Sequence, residues 1–531
     1  MENHKDGDRL SWGDSVFLNL EREGMPLNVG SVSVLEGKIP FQACLRFVES
    51  KLPLIPRYLK RVVGRPFNIG LPSWEYDPEF DLRNHVRRVT LKHGTDGELK
   101  ALAGNLFSKV MDRQHPLWDL TLVHGVKGNR TGLIIRMHHC LVDGIGGVGI
   151  VSALMDPNAV TPRKPRRKPH VPEPRDAATS LLEGLASSYS DFVNRILSAW
   201  SGALDMAEGT VAAAGGNLAT EQFSSLLPEL TTSTERLRFN VIYRGPQKFA
   251  WAEIPLAEVK AIRHACGTSV NDVLLALVTA TIRDYSEHHG DSVKGRLVRI
   301  MVPVNLRGSD GPANPGNHIS LVPVTIPLGI HSPKRLLAAV HKRTEFLKRA
   351  RAAELVSLFG GLIGVFPGPM QAFAGPMISR VPFTPFNMVC TSVPGPQFPL
   401  YLLGHKMLQW YPYVPVGGEM AVNCAILSYN GMVYFGFSGD VHAAPDLWRW
   451  EKFVKQNFVE LRDAAGATAP RKKAERKKRA PVKKQRSKTT TSRAGTAHVP
   501  IPVPAVRSSS ESEEAPVPRV VEESVLVQSV A

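Results

Sequence analysis

Two adjacent histidines and a nearby aspartate form the part of this 531-residue sequence best suited to chemistry. The run from His138 to Gly144 reads His-His-Cys-Leu-Val-Asp-Gly, and further glycines follow it. A neutral imidazole can take a proton from a hydroxyl that attacks a thioester, and its ordinary pKa near neutrality suits this role. Successive side chains of a strand point to opposite faces, so His138 and His139 are predicted to differ in role, one facing an open channel and the other the packed interior.

Asp143 admits two interpretations. It would orient the imidazole, as carboxylates do in catalytic triads, or it would hold the turn by pairing with an arginine elsewhere. The second interpretation is favoured, with Arg307 as the candidate partner. A pair of histidines alone is more often structural than catalytic. What favours catalysis here is the Asp-Gly at a strand end that turns sharply into a glycine-rich helix.

The remaining histidines and Cys140 are weaker candidates for chemistry. Cys140 would serve as a covalent acyl carrier only if it faced the channel, but its place beside His139 on the strand turns it to the other side. No matching carboxylate or metal-ligand spacing is predicted for the other fifteen histidines, which include His115, His264, His318 and His442. They are interpreted as surface or core residues, and no metal site is predicted.

The hydrophobic pattern that must position the motif divides the chain into four segments. Residues 1–155 are predicted to form an α/β domain that ends with a strand from Gly132 to His139 and the motif. Residues 156–236 contain an exposed crossover rich in proline and arginine, then an amphipathic helix from Leu182 to Leu204 whose mixed charges favour packing against protein. Residues 237–463 form a second α/β domain. Residues 464–531 are predicted to be disordered, first basic and then acidic.

Local signals place several elements of the second domain. A helix is predicted to begin near Ser269, with Asp272 completing a capping box, and another at Ser332 with Pro333 in its first turn. Asn430-Gly431 is a strong hairpin signal. Strands are predicted at residues 298–304, 321–326, 421–428 and 432–437.

The formal charge of +17 is concentrated in two short segments. Residues 471–488 carry eleven basic residues and one acid, and residues 161–175 carry six and one, so the rest of the chain is close to neutral. A broad basic groove for nucleic acid is therefore not expected. Five cysteines at wide spacings indicate reduced thiols in a cytosolic protein, and the mixed charges of the first residues argue against a secretory signal.

Motifs along most of the chain resemble those of the bacterial wax ester synthase/acyl-CoA:diacylglycerol acyltransferases, within the wider class of His-His-x-x-x-Asp-Gly acyltransferases. The motif itself is shared with peptide-synthetase condensation domains, so the other blocks carry the distinction. In order, they are Leu10 to Phe17, Asp77 to Leu82 with His85 to Arg87, Pro116 to Trp118, Asn271 to Val273, Pro303 to Arg307 with Gly316-Asn317, Val393 to Pro396 with Pro399 to Tyr401, Ser428 to Gly431, and Pro445 to Trp448. Cys140 and Ser392 depart from the residues common in the family.

The resemblance implies an α/β fold of two similar halves, like those of CoA-dependent acyltransferases and condensation domains, with mixed sheets and a tunnel between them. It implies direct transfer of a fatty acyl group from acyl-CoA to diacylglycerol or a fatty alcohol, with His139 as the general base. His138 and Asp143 would maintain the shape of the site, and Gly144 and Arg307 would support it. Asp272 is explained independently by the helix cap, while Asn271 would support either the tunnel wall or the cap. Acyl-CoA is a substrate, so no cofactor is implied.

A lipid acceptor requires contact with a membrane or lipid droplet, so a cytoplasmic protein associated peripherally with such a surface is predicted. The apolar stretch from Leu355 to Ile378 would form part of a docking surface or, as the favoured interpretation, a buried helical hairpin. The basic run after Arg471 would contact anionic lipids or remain solvated. Two other functions stay open: a condensation-type acyltransferase that takes its donor from a carrier protein, and a non-catalytic lipid-droplet binding protein.

Overall fold

The computed structural model describes residues 9–22, 24–64, 71–142, 144–160, 233–305, 319–350 and 386–467. The predicted amphipathic helix at 182–204, the apolar stretch at 355–378 and the tail from 468 onwards lie outside these ranges. The described elements of the first half are α1 (Trp12–Leu20), β1 (Asn28–Glu36), α2 (Phe41–Lys51), β2 (Lys60–Val63), β3 (Ser73–Tyr76), α3 (Leu82–His85), β4 (Val86–Thr90), α4 (Asp96–Phe107), β5 (Trp118–Val126), β6 (Arg130–His138) and α5 (Gly144–Leu154).

The described elements of the second half carry most of the local signals found in the sequence. They are β7 (Gln247–Pro255), α6 (Leu256–Cys266), α7 (Val270–His288), β8 (Leu297–Asn305), β9 (Ile319–Pro327), α8 (Pro333–Arg349), β10 (Met388–Pro394), β11 (Tyr401–Leu402), β12 (His405–Tyr413), β13 (Val422–Tyr429), β14 (Met432–Asp440) and α9 (Arg449–Ala464). The four predicted strands correspond to β8, β9, β13 and β14, so those predictions are confirmed.

Two turn and cap predictions are also confirmed. Asn430 and Gly431 join β13 to β14 with φ angles of 46° and 81°, the left-handed pair that a tight hairpin turn requires. Ser269 and Asp272 form a reciprocal capping box at the start of α7, where each side chain bonds the other residue's backbone N–H.

Each half is built around a mixed six-stranded sheet. The strand order is β11-β12-β1-β6-β5-β4 in the first and β7-β14-β13-β10-β8-β9 in the second. Both sheets combine antiparallel pairs with parallel ones, β4 with β5 in the first and β10 with both β8 and β13 in the second. The predicted α/β class with mixed sheets is confirmed.

The second half contributes two strands to the sheet of the first. β12 pairs antiparallel with β1, from Gly30 opposite Tyr413 to Leu35 opposite Met407, and β11 extends that edge. Aromatic rings consolidate the join, since Phe107 of α4 stacks on Tyr413 with centroids 3.6 Å apart. The hydrophobic cluster of the first half therefore also contains side chains of the second half, among them Phe249, Trp251 and Tyr413. The predicted boundaries at 155, 236 and 463 and the tunnel stay predictions.

Close approach of β12 to β14 explains one glycine in the second sheet. A Cβ atom on Gly436 would overlap the carbonyl oxygen of Pro412. Only glycine lets the two backbones cross at this distance. The end of β12 therefore packs against the second sheet, while the strand itself pairs with β1 of the first sheet.

Candidate active site

The two histidines lie where β6 ends, between the chain segments that flank it. The strand stops at His138, one residue earlier than predicted, because the chain turns there and the N–H of Leu141 donates to the carbonyl of His138 at 2.9 Å. The N–H of His138 donates to the carbonyl of Leu117, and the N–H of His139 donates to the carbonyl of Leu27, both at 2.9 Å. The backbone of the pair is thus fixed from both sides.

His138 is fully buried, and a hydrogen bond to Nδ1 indicates the tautomer of its ring. Its Nδ1 accepts the backbone N–H of Cys140 at 3.0 Å, so the ring proton resides on Nε2. Nε2 lies 3.4 Å from Oε1 of Glu21, whose side chain is only 1% exposed. Both ring nitrogens therefore face protein groups, as expected for the histidine that faces the interior.

His139 is partly buried, and its ring lies flat against Phe17 of α1. The ring centroids are 3.8 Å apart and the planes differ by 8°. Burial, reinforced by the neighbouring His138 and opposed by a hydrogen bond with its own backbone, lowers the pKa of His139 to about 4. The imidazole is thus neutral at physiological pH and able to accept a proton.

This lowered pKa gives a testable pH dependence. A general base acts in its neutral form, which persists at every pH above its pKa. We expect kcat/KM for acyl transfer to stay nearly constant from about pH 8 to about pH 5.5 and to decline only towards pH 4. Initial rates over the range in which circular dichroism shows a folded protein provide the measurement. A decline centred near the ordinary histidine pKa would contradict the assignment.

Asp143 and Arg307 lie outside the described residues, so their pairing and both interpretations of Asp143 stay predictions. Gly144 begins α5, as expected for the glycine-rich helix after the motif.

The structure places the Asn271-Asp272 motif at a contact between helices. The Asp272 carboxylate accepts the N–H of Ser269 at 2.9 Å and the hydroxyl of Thr344 at 2.7 Å, and it lies 2.9 Å from Nδ1 of His341. Burial alone would raise the pKa of Asp272, but these bonds outweigh it and lower the pKa. Asp272 thus joins the start of α7 to α8, which supports the cap interpretation. Asn271 beside it is partly buried.

Cys140 is fully buried directly after the histidines. Burial, with added repulsion from the Asp14 and Glu21 carboxylates, raises its pKa well above the usual range. A thiolate nucleophile is therefore disfavoured, in agreement with the preference for direct transfer. Ser392, the other departure from the family pattern, is an exposed residue of β10.

Sequence reasoning did not connect three residues with the two histidines, and it found no partner for His115. Phe17, Glu21 and Arg113 contact the histidines or each other, yet no spacing connects them to the motif. His115 was interpreted as a surface or core residue without a carboxylate at matching spacing, and in the structure its Nδ1 lies 3.0 Å from Oδ2 of the buried Asp77. Such pairs join distant parts of the chain, and only the fold brings them together.

None of the described helices alone is both long and apolar enough to cross a lipid bilayer. Taken together, α6 and α7 have the required length and composition, but the pair is bent by 101° at its junction. Most of α7 is buried in the core of the second half.

Curated relatives and solved structures match more than four fifths of the chain. A probable diacylglycerol O-acyltransferase of Mycobacterium tuberculosis is 27% identical over 452 residues, which cover 84% of this chain and 94% of the relative. A putative diacylglycerol O-acyltransferase of Mycobacterium bovis matches to the same extent. The structure of a wax ester synthase/diacylglycerol acyltransferase from Marinobacter aquaeolei VT8 has a TM-score of 0.59 at 23% identity, covering 86% of this chain and all of that one.

The fold is shared more widely than the activity. The first condensation domain of the calcium-dependent antibiotic synthetase matches with a TM-score of 0.53 at 16% identity, over 87% of this chain and 98% of that domain. Family models separate the possibilities. The wax ester synthase/diacylglycerol acyltransferase catalytic domain matches residues 10–274, and the C-terminal domain of the same family matches residues 315–462. The chain therefore belongs to the wax ester synthase/diacylglycerol acyltransferase family of enzymes.

Proposed function

We propose that this enzyme transfers a long-chain fatty acyl group from acyl-CoA to diacylglycerol, forming triacylglycerol, and also to fatty alcohols, forming wax esters. The observation that carries the proposal is the neutral, partly buried imidazole of His139, fixed through its backbone and through its stacking on Phe17. Family membership supports the choice of acceptor, because the relatives and the family are named for acylation of diacylglycerol and for wax ester synthesis.

The transfer is a single displacement at the thioester carbon. His139 takes the proton of the acceptor hydroxyl as its oxygen attacks, the new C–O bond forms and the C–S bond breaks. The imidazolium then returns a proton to the departing CoA thiolate. His138, with Nδ1 bonded to the backbone and Nε2 facing the Glu21 carboxylate, holds the turn instead of exchanging protons, and Asp143 supports the same turn in this proposal.

The acceptor is tested with purified full-length protein and labelled palmitoyl-CoA, given either a diacylglycerol or hexadecanol. Triacylglycerol is the expected main product, with wax ester from hexadecanol. Competition with unlabelled palmitoyl-carrier protein examines the donor, and we expect it to leave the rate unchanged. Inhibition by the carrier-bound donor would favour a condensation-type activity, and no product from either alcohol would reject the proposed acceptors.

The enzyme must collect its acceptor from a lipid surface, because each buried methylene contributes about 0.8 kcal/mol to keeping such a molecule out of water. We infer peripheral association with a membrane or lipid droplet. The basic run at residues 471–488 is proposed to contribute, since each lysine or arginine near an anionic surface adds about 1 kcal/mol.

Removing the residues beyond Ala469 is therefore expected to reduce cosedimentation with vesicles that contain anionic lipid. The reduction should weaken at high salt, because screening shortens the reach of the attraction. Vesicles of neutral lipid provide the control, since the truncation should change nothing there. Equal sedimentation of the two proteins with anionic vesicles would remove the tail from the proposal.

A further inference from the structure

The carboxylate of Glu21, the residue that follows α1, lies beside His138 and the backbone of Leu27. Its Oε1 accepts the N–H of Leu27 at 3.1 Å and lies 3.4 Å from Nε2 of His138. Its Oε2 accepts Nη2 of Arg113 at 3.1 Å. The side chain is 1% exposed, so this charge is almost entirely enclosed by protein.

The groups around Glu21 match an ionised carboxylate. Burial alone would raise the pKa of Glu21, but the contact with His138, the Leu27 N–H and Arg113 together lower it. Arg113 is held in turn by the carbonyl of Leu18, which accepts Nη2 at 2.7 Å. Only the Glu21 side of this pair is buried, since the Arg113 side chain is 45% exposed. A buried carboxylate is costly to desolvate, so the groups that contact it must offset that cost.

Two connections lead from Glu21 to the two histidines. The first is the Nε2–H of His138, which faces Oε1 while Nδ1 is occupied by the N–H of Cys140. The second passes through Leu27, whose N–H donates to Glu21 and whose carbonyl accepts the N–H of His139. Both histidines are therefore tied to one carboxylate, His138 by its side chain and His139 by its backbone.

We propose that Glu21 is a positioning residue for acyl transfer, which fixes the ring of His138 and, through Leu27, the backbone of His139, with Arg113 balancing its charge. The inference rests on the proposed role of His139 as the base. Glu21 touches no reacting atom in this scheme. It sets where the His139 imidazole stands relative to the acceptor hydroxyl and the thioester.

Whether Glu21 fixes the backbone at Leu27 and His139 is tested by amide hydrogen exchange, which requires no substrate. In Glu21→Ala, the backbone amides of Leu27 and His139 are expected to exchange about ten- to a hundredfold faster, because a charge-assisted anchor is lost. Glu21→Gln keeps one acceptor oxygen but places an NH₂ group towards other donors, so an intermediate effect is expected. Glu419→Gln is the matched control, because that buried carboxylate also pairs with an arginine, Arg236, at 2.6 Å.

Kinetics then show whether the position matters for catalysis. We expect Glu21→Ala to lower kcat by about 10²-fold, the usual scale for a misplaced catalytic group, with KM for palmitoyl-CoA within about twofold of wild type. The kcat of Glu21→Gln should lie between those of Glu21→Ala and the wild type, and Glu419→Gln should keep wild-type kcat. Assays are run well below the melting temperature of each variant, so that lost stability does not lower kcat.

The outcomes separate this proposal from the proposed function. Faster exchange at Leu27 and His139 with unchanged kcat would overturn positioning and leave Glu21 a structural residue. Unchanged exchange at those amides in Glu21→Ala would overturn it whatever the activity. Failure of the wild type to acylate either alcohol would reject the proposed acceptors, while the exchange measurement would still decide whether Glu21 holds the two histidines.

Discussion

Replacing His139 with alanine is expected to lower kcat for acyl transfer by about 10²- to 10⁴-fold, the usual contribution of a general base. No described side chain beside it offers the same function, because both nitrogens of His138 face protein groups and the Cys140 thiol is buried with a raised pKa. The measurement is product formation from labelled palmitoyl-CoA and the preferred alcohol, at saturating concentrations of both.

Two further variants make this test specific. His139→Gln preserves a planar polar group against Phe17 but offers no comparable base, so its loss of activity should match that of the alanine variant. His264→Ala removes an exposed histidine of α6 and should retain wild-type turnover. Substantial activity in both His139 variants, with melting temperatures near wild type, would remove His139 from the mechanism.

Arg136→Leu is expected to cause the largest loss of stability, about 3–5 kcal/mol, because it leaves the carboxylate of Asp119 buried without its charge partner. The two residues lie opposite each other on β6 and β5, and their side chains are 5% and 10% exposed. Nε donates to Oδ1 at 3.0 Å, and Nη2 donates to Oδ2. A loss of this size should lower the melting temperature of the protein by roughly 10 °C, which circular dichroism can follow.

The double variant separates the ion pair from the other contacts of Arg136. Nη1 also donates to the carbonyls of Leu106 and Lys109, at and just beyond the end of α4, where a positive charge is favourable. Arg136→Leu with Asp119→Leu removes both charges, so it should recover most of the lost stability but not the contribution from the α4 carbonyls. This account would be contradicted if the double variant lost as much stability as the sum of the losses in Arg136→Leu and Asp119→Leu.

Local signals account for most of what the sequence predicted correctly. The hairpin at Asn430-Gly431, the capping box of Ser269 and Asp272, and four strands of the second sheet each depend on a few adjacent residues. The motif blocks, taken in order, likewise identified the family. These features are encoded by backbone preferences and side-chain chemistry over short stretches, so they are visible without the fold.

Tertiary structure decided which distant groups meet. The sequence singled out His138 and His139, but it gave no reason to place Glu21, Arg113 or Phe17 beside them, or to pair His115 with Asp77. It also gave no sign that β12, late in the chain, completes the sheet that carries the histidines. A sequence specifies which side chains can donate, accept or pack. Which of them come into contact depends on how whole sheets and helices fit together, and that choice is made by the packing of the entire fold.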